Sequence, residues 1–339
     1  MTVRVAVNGF GRIGRNFLRA LHGSEADVEV VALNDLVSRE ANAHLLRHDS
    51  THGRFAGDVA LSESGIVVDG REIAVYAERD PASLPWGELG VDVVVESTGR
   101  FTTRAAAHAH VEAGARRVVI SAPSDDSDAT FVVGVNDDTF DPESHVVVSN
   151  ASCTTNCFVP MIKVLDDSFS VRHGLMTTVH AYTNDQELLD LARDNLRRAR
   201  AAAVNIVPTT TGAARATGIV LQAMKGRLDG ISLRVPVVDG SITDFTGIVG
   251  AQVGVEDVNA AFAAAAASGP LAGVLVYSDE PLVSTDIVGS PASCTFDSGL
   301  TMTMPLGDGT TLVKVFGWYD NEWGYSSRLV DLAALVGAR

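Results

Sequence analysis

The chain has no run of about 18 apolar residues, so nothing in it is long enough to cross a bilayer as a helix. Positive charge is also scarce. Its 26 lysines and arginines stand against 42 aspartates and glutamates, a net charge of −16. A duplex-binding protein wants a basic face, so no primary nucleic-acid role is expected. Cysteine is rarer still, three in 339 residues, too few for a disulfide framework. Glycine is plentiful at 31 but follows no fixed period, which excludes a solenoid or a collagen-like chain. The opening "MTVRVAVNGFGRIG" reaches a glycine loop by residue 9, leaving no room for a secretory leader. No membrane partner and a cytoplasmic location are therefore expected.

What is present is an ordinary globular composition, 46% hydrophobic and 20% charged, over a length that suits two domains. In the first half, strands alternate with helices. "VRVAV" (3–7), "VEVVALND" (28–35), "VDVVVEST" (91–98) and "RRVVISAP" (116–123) are near-continuous runs of β-branched residues. Such strands are covered on both faces, as in a parallel sheet flanked by helices. "GRIGRNFLRALH" (11–22) has helical apolar spacing, and a second helix is predicted over 103–113.

"NGFGRIG" supplies Gly9, Gly11 and Gly14 between a predicted strand and a predicted helix, the setting a dinucleotide fingerprint requires. Gly9 permits the tight turn, Gly11 lets backbone approach a pyrophosphate, and Gly14 lets helix pack on strand. Asp35 closes the second strand 21 residues after Gly14, placed to accept from both ribose hydroxyls of NAD. Thr98, Gly99 and Ser121 end the next two strands, where ligands of such sheets bind. The predicted fold of this half is a Rossmann-type α/β domain.

"NASCTTNC" (150–157) admits a metal pair, a redox pair or one catalytic cysteine. Cys294 stands alone and no second ligand cluster appears, so no metal is expected. His44, His48 and His52 fall at helical spacing, but "RHDSTHG" breaks the helix between them. A helix predicted from about 152 to 166 puts Cys153 in its first turn, where unpaired N–H groups favour a thiolate. Cys157 falls one turn deeper among apolar neighbours, as a small buried residue. His180 ends a predicted strand within "GLMTTVHAYTNDQ" and is the best-placed of nine histidines, though pattern alone leaves it either a base or a core residue. The basic run with Arg193, Arg197, Arg198 and Arg200 reads first as a solvated or interface face.

"VAVNGFGRIGR", "ESTGRF", "ISAPS", "SNASCTTNC", "TTVHAYTNDQ", "LRRARAAA", "PTTTGAA", "LRVPV" and "WYDNEWGYS" together resemble the phosphorylating glyceraldehyde-3-phosphate dehydrogenase family, in order and over essentially the whole chain. "SCTTNC" and "WYDNE" carry most of that specificity. The resemblance implies Cys153 as nucleophile and His180 as its base. It implies Thr183 and Arg234 for the substrate phosphate, with Ser152, Thr154, Arg198, Thr211 and Gly212 serving inorganic phosphate or both. It places Arg12 and Ile13 at the pyrophosphate, Arg79 along the adenine, and Asn321 and Tyr325 at the nicotinamide. Residues 1–152 would bind NAD, with a closing helix in 319–339 packed back on them. Residues 153–318 would form an α+β catalytic domain with a mainly antiparallel sheet. The family is a homotetramer whose loop at about 181–204 reaches a neighbour's cofactor, and its substrates are glyceraldehyde 3-phosphate and inorganic phosphate.

Three departures stand out. Ala192 replaces a proline common in NAD-specific members, so some use of NADP is expected beside NAD. Cys294 stands where serine is common and reads as core, and the acidic "SDDSDA" (124–129) has no evident chemistry. Two rivals remain at this level. Erythrose-4-phosphate dehydrogenase shares the cysteine chemistry but releases an acid, whereas intact "HAYTNDQ" and "PTTTGAA" argue for a kept phosphate site. A redox-sensing or binding homologue would use Cys153 and Cys157 as a switch.

Overall fold

The computed structural model describes residues 2–338. The chain divides into two compact units, Met1–Ser152 with Ser326–Arg339, and Cys153–Tyr325.

In the first unit the valine-rich segments form one sheet. Strands Val147–Ser149, Arg117–Ile120, Val93–Glu96, Val3–Asn8, Val28–Asn34 and Arg71–Tyr76 lie side by side and parallel. Two short strands, Gly65–Val68 and Val59–Leu61, add antiparallel to one edge. Val5, Val7, Val93, Val94 and Val95 are wholly buried, as strands covered on both faces require. Helix Arg12–His22 lands on the first strand because Gly14 has no side chain. A Cβ there would stand 2.2 Å from the Gly9 carbonyl oxygen. Gly9 itself has φ +91, and a Cβ on it would stand 2.7 Å from the Thr98 nitrogen. The helix predicted over 103–113 is in fact two turns, Arg104–Ala107 and Ala109–Glu112, separated at His108. Helix Trp323–Gly337 belongs mostly to this unit, where the Val336 carbonyl accepts from Arg117 at 2.8 Å.

The acidic stretch 124–129 acts as a staple. Asp126 accepts from the Arg104 backbone at 2.9 Å, capping that helix. Asp128 pairs with the Arg104 guanidinium and accepts from Val146 and Val147 N–H at 3.0 and 2.8 Å. Two aspartates thus join a helix start to a strand start.

The second unit is built on an eight-stranded sheet, antiparallel except for two parallel pairs. One of those pairs, Val171–Ala181 with Leu228–Val235, aligns His180 with Arg234. Helix Cys153–Phe169 packs on this sheet through Phe158, Met161, Ile162 and Leu165, all fully buried. Burial of each such side chain contributes about 1.5–3 kcal/mol. Pro160 sits inside this helix, so the Asn156 carbonyl lacks its usual helical donor. Cys157 and Cys294 are both buried in the core beside Gly317.

Near the end of that sheet Asp239 and Asp320 are buried together, each about 1% exposed. Asp320 accepts from the N–H groups of Gly289, Glu322 and Trp323 at 2.6–2.8 Å. Burial, then the charges of Asp320 and Glu322, push the Asp239 carboxyl up to about 9. Its unfolded value is about 3.9, so folding takes up a proton between these limits. Stability should therefore fall as pH rises from about 4 to about 9, and fall no further above. Asp239→Asn, which does not ionise, should flatten that slope in urea melts at about pH 5 and about pH 9. An unchanged slope would assign the dependence to other groups.

Candidate active site

Two sites emerge, one in each unit. In the first unit an open cleft of about 300 Å³ lies at the carboxyl ends of the parallel strands. Among its walls are Gly9, Gly11, Asp35, Arg79 and Thr98, five of the predicted cofactor residues. A Cβ at Gly11 would meet nothing within 4 Å, so backbone faces open space at the start of helix Arg12–His22. That is a cradle for a pyrophosphate, backed by the helix's first N–H groups. Asp35 accepts from Phe10 N–H at 2.7 Å and Val37 N–H at 3.1 Å, one on each oxygen. Each oxygen keeps a lone pair for a ribose hydroxyl. The residues therefore fit a dinucleotide.

The other residues expected at the cofactor take different places. Ile13 and Gly14 are in the first helical turn, and Gly99 follows Thr98 with φ +69. The Arg12 guanidinium pairs with Asp49 at 2.5 Å rather than pointing freely at a phosphate. Ser121 ends its strand with its N–H on the Glu96 carbonyl. Asn8, Asn34, Glu78 and Ser97 line the cleft and were missed from sequence. A larger cleft, about 390 Å³, lies at the amino ends of the same sheet among Leu18, His22, Val28 and Arg71. It contains none of the predicted residues, so size does not mark the site.

The second site begins at the turn before helix Cys153–Phe169. Ala151 is held at φ +55, a left-handed conformation costing an alanine about 1 kcal/mol. The turn places Cys153 as the first helical residue, with its Sγ 3.4 Å from His180 Nε2. His180 Nδ1 lies 2.7 Å from the Ala181 carbonyl, which can only accept. Arg234 Nη1 lies 2.9 Å from the same Nδ1, but its two protons go to the Ala181 carbonyl and Thr183 Oγ1, so Nδ1 carries its own proton toward the carbonyl and Nε2 presents its lone pair to the thiol. Tyr319 stands behind both groups. Its hydroxyl bonds Thr154 at 2.9 Å and Thr178 at 2.7 Å, and its ring meets His180 edge-on. Sequence patterning did not single out Tyr319, though it lies within "WYDNE".

The helix start was expected to favour the thiolate. Instead, burial pushes Cys153 up and outweighs the opposing effects of Arg234, the Thr154 hydroxyl and the N–H groups at the helix start. Burial, then the Arg234 charge, depress His180 to about 3. The pair is thus a thiol facing a neutral imidazole.

Arg234 enters through strand register. Its Nη1 lies 2.9 Å from His180 Nδ1 and donates to the Ala181 carbonyl and Thr183 Oγ1, each at 3.0 Å. Thr183 in turn donates to Asp185, and Asp185 pairs with Arg198 at 3.0 Å. Arg198 donates to Thr209 at 2.9 Å. Thr183, Arg234 and Arg198 are therefore brought together as predicted, with Asp185 and Thr209 as unpredicted members. The remaining arginines of the run behave as surface groups, Arg193 on Glu187 and Arg200 on Asp190. Thr211 accepts from Ala213 N–H at 3.2 Å, and Gly212 caps helix Ala213–Val220. The Thr154 hydroxyl, expected to face an anion, is turned into the core toward Tyr319. Ser152 is half-buried just before the nucleophile. Asn321 Oδ1 accepts from Ser241 at 2.6 Å, and Tyr325 is buried.

The chain matches the family model described as glyceraldehyde 3-phosphate dehydrogenase, NAD binding domain, over residues 3–104. It matches that of the C-terminal domain of the same enzyme over residues 152–321. It is 58% identical to glyceraldehyde-3-phosphate dehydrogenase 2 of Streptomyces avermitilis and to glyceraldehyde-3-phosphate dehydrogenase of Streptomyces coelicolor, covering 99% of each chain. It is 55% identical to glyceraldehyde-3-phosphate dehydrogenase of Geobacillus stearothermophilus, covering 100% of this chain and 99% of that one.

Because the Arg234 charge favours the thiolate, Arg234→Leu should move the pH of half-maximal Cys153 alkylation by iodoacetamide upward by about one unit. Peptide mass spectrometry would follow it, with buried Cys157 and Cys294 as unreactive references. A downward or absent shift would show that Arg234 does not favour the thiolate.

Proposed function

This chain belongs to the glyceraldehyde-3-phosphate dehydrogenase family, and on that premise we propose that it oxidises glyceraldehyde 3-phosphate to 1,3-bisphosphoglycerate with inorganic phosphate and NAD. One observation carries this reading: a thiol at a helix start, 3.4 Å from the lone pair of a tautomerically fixed imidazole, beside an arginine held by strand register.

Cys153 attacks the aldehyde carbon, forming the C–S bond as its proton passes to His180 Nε2. Proton transfer and attack are coupled, because neither partner is charged beforehand. The imidazolium then protonates the new oxyanion, giving a hemithioacetal and restoring the base. The chemistry that bound NAD supplies is acceptance of a hydride. His180 removes the hydroxyl proton as that carbon is oxidised to a thioester. A phosphate oxygen attacks the thioester, the C–S bond breaks, and Cys153 leaves as a thiolate that recovers its proton from the imidazolium.

Thr183 and Arg234 would hold the substrate phosphate, and Arg198, Thr211, Gly212, Ser152 and the Thr154 N–H the attacking one. Asp185 now occupies donors of Thr183 and Arg198, so an entering phosphate competes with a resident carboxylate. Two cationic donors near the base favour phosphate over water as acyl acceptor, against the erythrose-4-phosphate reading. In the first unit Gly9, Gly11, Asp35, Arg79 and Thr98 would hold NAD.

A homotetramer is part of this proposal. Helix Cys153–Phe169 packs on one face of the sheet of the second unit. On the other face Leu175 and Ile231, diagonal neighbours on paired strands, are 67% and 52% exposed. The three unpaired cysteines suit a reducing cytoplasm.

NADH formation should require inorganic phosphate, and omitting it should abolish sustained turnover. Rates that ignore phosphate would overturn the reading. His180→Asn should lower kcat by roughly 10²–10⁴-fold. NAD should outperform NADP, with Ala192→Pro lowering any NADP rate. Leu175→Glu with Ile231→Glu should shift the mass by light scattering from tetramer toward smaller species, whereas an unchanged mass would place the contact elsewhere.

A further inference from the structure

Beneath the nucleotide cleft lies a polar chain, buried from Trp86 to Asn34, that the reaction does not use. We infer that Glu96 is the positioning residue of this cleft, acting by fixing the direction of the hydrogen bonds that run from it through Asn8 and Asn34 to Glu78. The inference rests on the cleft being the NAD site.

At one end is Trp86, whose indole N–H can only donate, and it does so to His110 Nδ1 at 3.0 Å. The His110 proton is therefore on Nε2, which donates to Glu96 Oε2 at 3.0 Å. Asn8 Nδ2 donates to the same oxygen at 2.5 Å. Glu96 Oε1 accepts from both the backbone N–H and the hydroxyl of Thr98. Four donors converge on one carboxylate that is 2% exposed, with His110 and Trp86 at 0%. Such a group is tolerated in a core only because its acceptor capacity is filled.

The direction propagates. Glu96 can only accept, so Asn8 must turn its NH₂ to it and its Oδ1 away. That Oδ1 accepts from Asn34 Nδ2 at 2.7 Å, which leaves Asn34 Oδ1 to accept from Glu78 N–H at 2.8 Å. Asn34 Nδ2 also reaches the Glu78 carbonyl at 2.9 Å, clamping that backbone from both sides. Asn8, Asn34, Glu78 and Glu96 sit at or just past the carboxyl ends of four strands, and each is next in sequence to a cleft residue. Asn8 precedes Gly9, Asn34 precedes Asp35, Glu78 precedes Arg79, and Glu96 is two before Thr98. One buried carboxylate thereby aligns the phosphate turn, the ribose acid and the adenine wall.

A glutamine at 96 has the same shape but one amide NH₂, which must face existing donors or reverse both asparagines and lose the Glu78 N–H. Calorimetric binding of ADP-ribose to the full chain tests this. Parent protein should bind, and Asp35→Ala should weaken binding; failure of either overturns the cleft reading, and the inference with it. Given both, Glu96→Gln should raise the Kd for ADP-ribose about tenfold. Its KM for NAD should rise in parallel, with kcat and the KM for the aldehyde within about twofold. Val118→Ala, a core truncation of the same sheet matched for lost thermal stability, should leave the ADP-ribose Kd within about twofold of parent. Trp86→Phe keeps the buried ring and removes only the donor, and should raise the Kd about fivefold. It decides the matter alone if Glu96→Gln does not fold. Parent-like affinity in the Glu96 or Trp86 variant, or equal weakening in Val118→Ala, overturns the inference.

Discussion

A sulfur-to-nitrogen contact of 3.4 Å between Cys153 and His180 sets the terms for the rest of the second unit. Neither group is reactive alone: a half-buried thiol holds its proton, and a buried imidazole beside a guanidinium resists taking one. Reactivity therefore rests on geometry rather than on a standing charge. The helix start fixes the sulfur, the Ala181 carbonyl fixes the tautomer, and Tyr319 braces both. Arg234 then has opposing effects, favouring the thiolate while opposing the imidazolium. An anion beside Arg234 would relieve the second effect.

The two halves of the molecule were unequally legible in the sequence. Gly9, Gly11 and Gly14 could be read because each answers a backbone demand within a few residues, and Asp35 because its place follows from strand length. The family resemblance supplied Cys153, His180 and Arg234 together. Patterning alone left His180 undecided, because its role depends on which strand pairs beside it. Tyr319, Asp185 and Thr209 were missed for the same reason, since each acts across strand register or a loop whose path is not local.

Other features were misread for want of partners. The acidic stretch 124–129 has no chemistry in isolation and becomes a staple once Arg104 and the start of strand Val147–Ser149 are opposite it. The Glu96 chain is made of residues that separately look like ordinary strand ends. Its meaning lies in donor and acceptor direction, a property no periodicity carries.

The chain leaves the first unit after Ser152 and returns to it only at Ser326. The bond from Arg117 to the Val336 carbonyl closes across 219 residues. On the ribosome, the nucleotide-binding sheet is synthesised early yet cannot receive its last helix until the whole second unit has emerged. The later-made unit is thus free to fold first as an uninterrupted segment, while the earlier one waits with part of its hydrophobic surface uncovered. Birth order and completion order are opposite in this molecule, and the interval between them is the part of its life most exposed to aggregation.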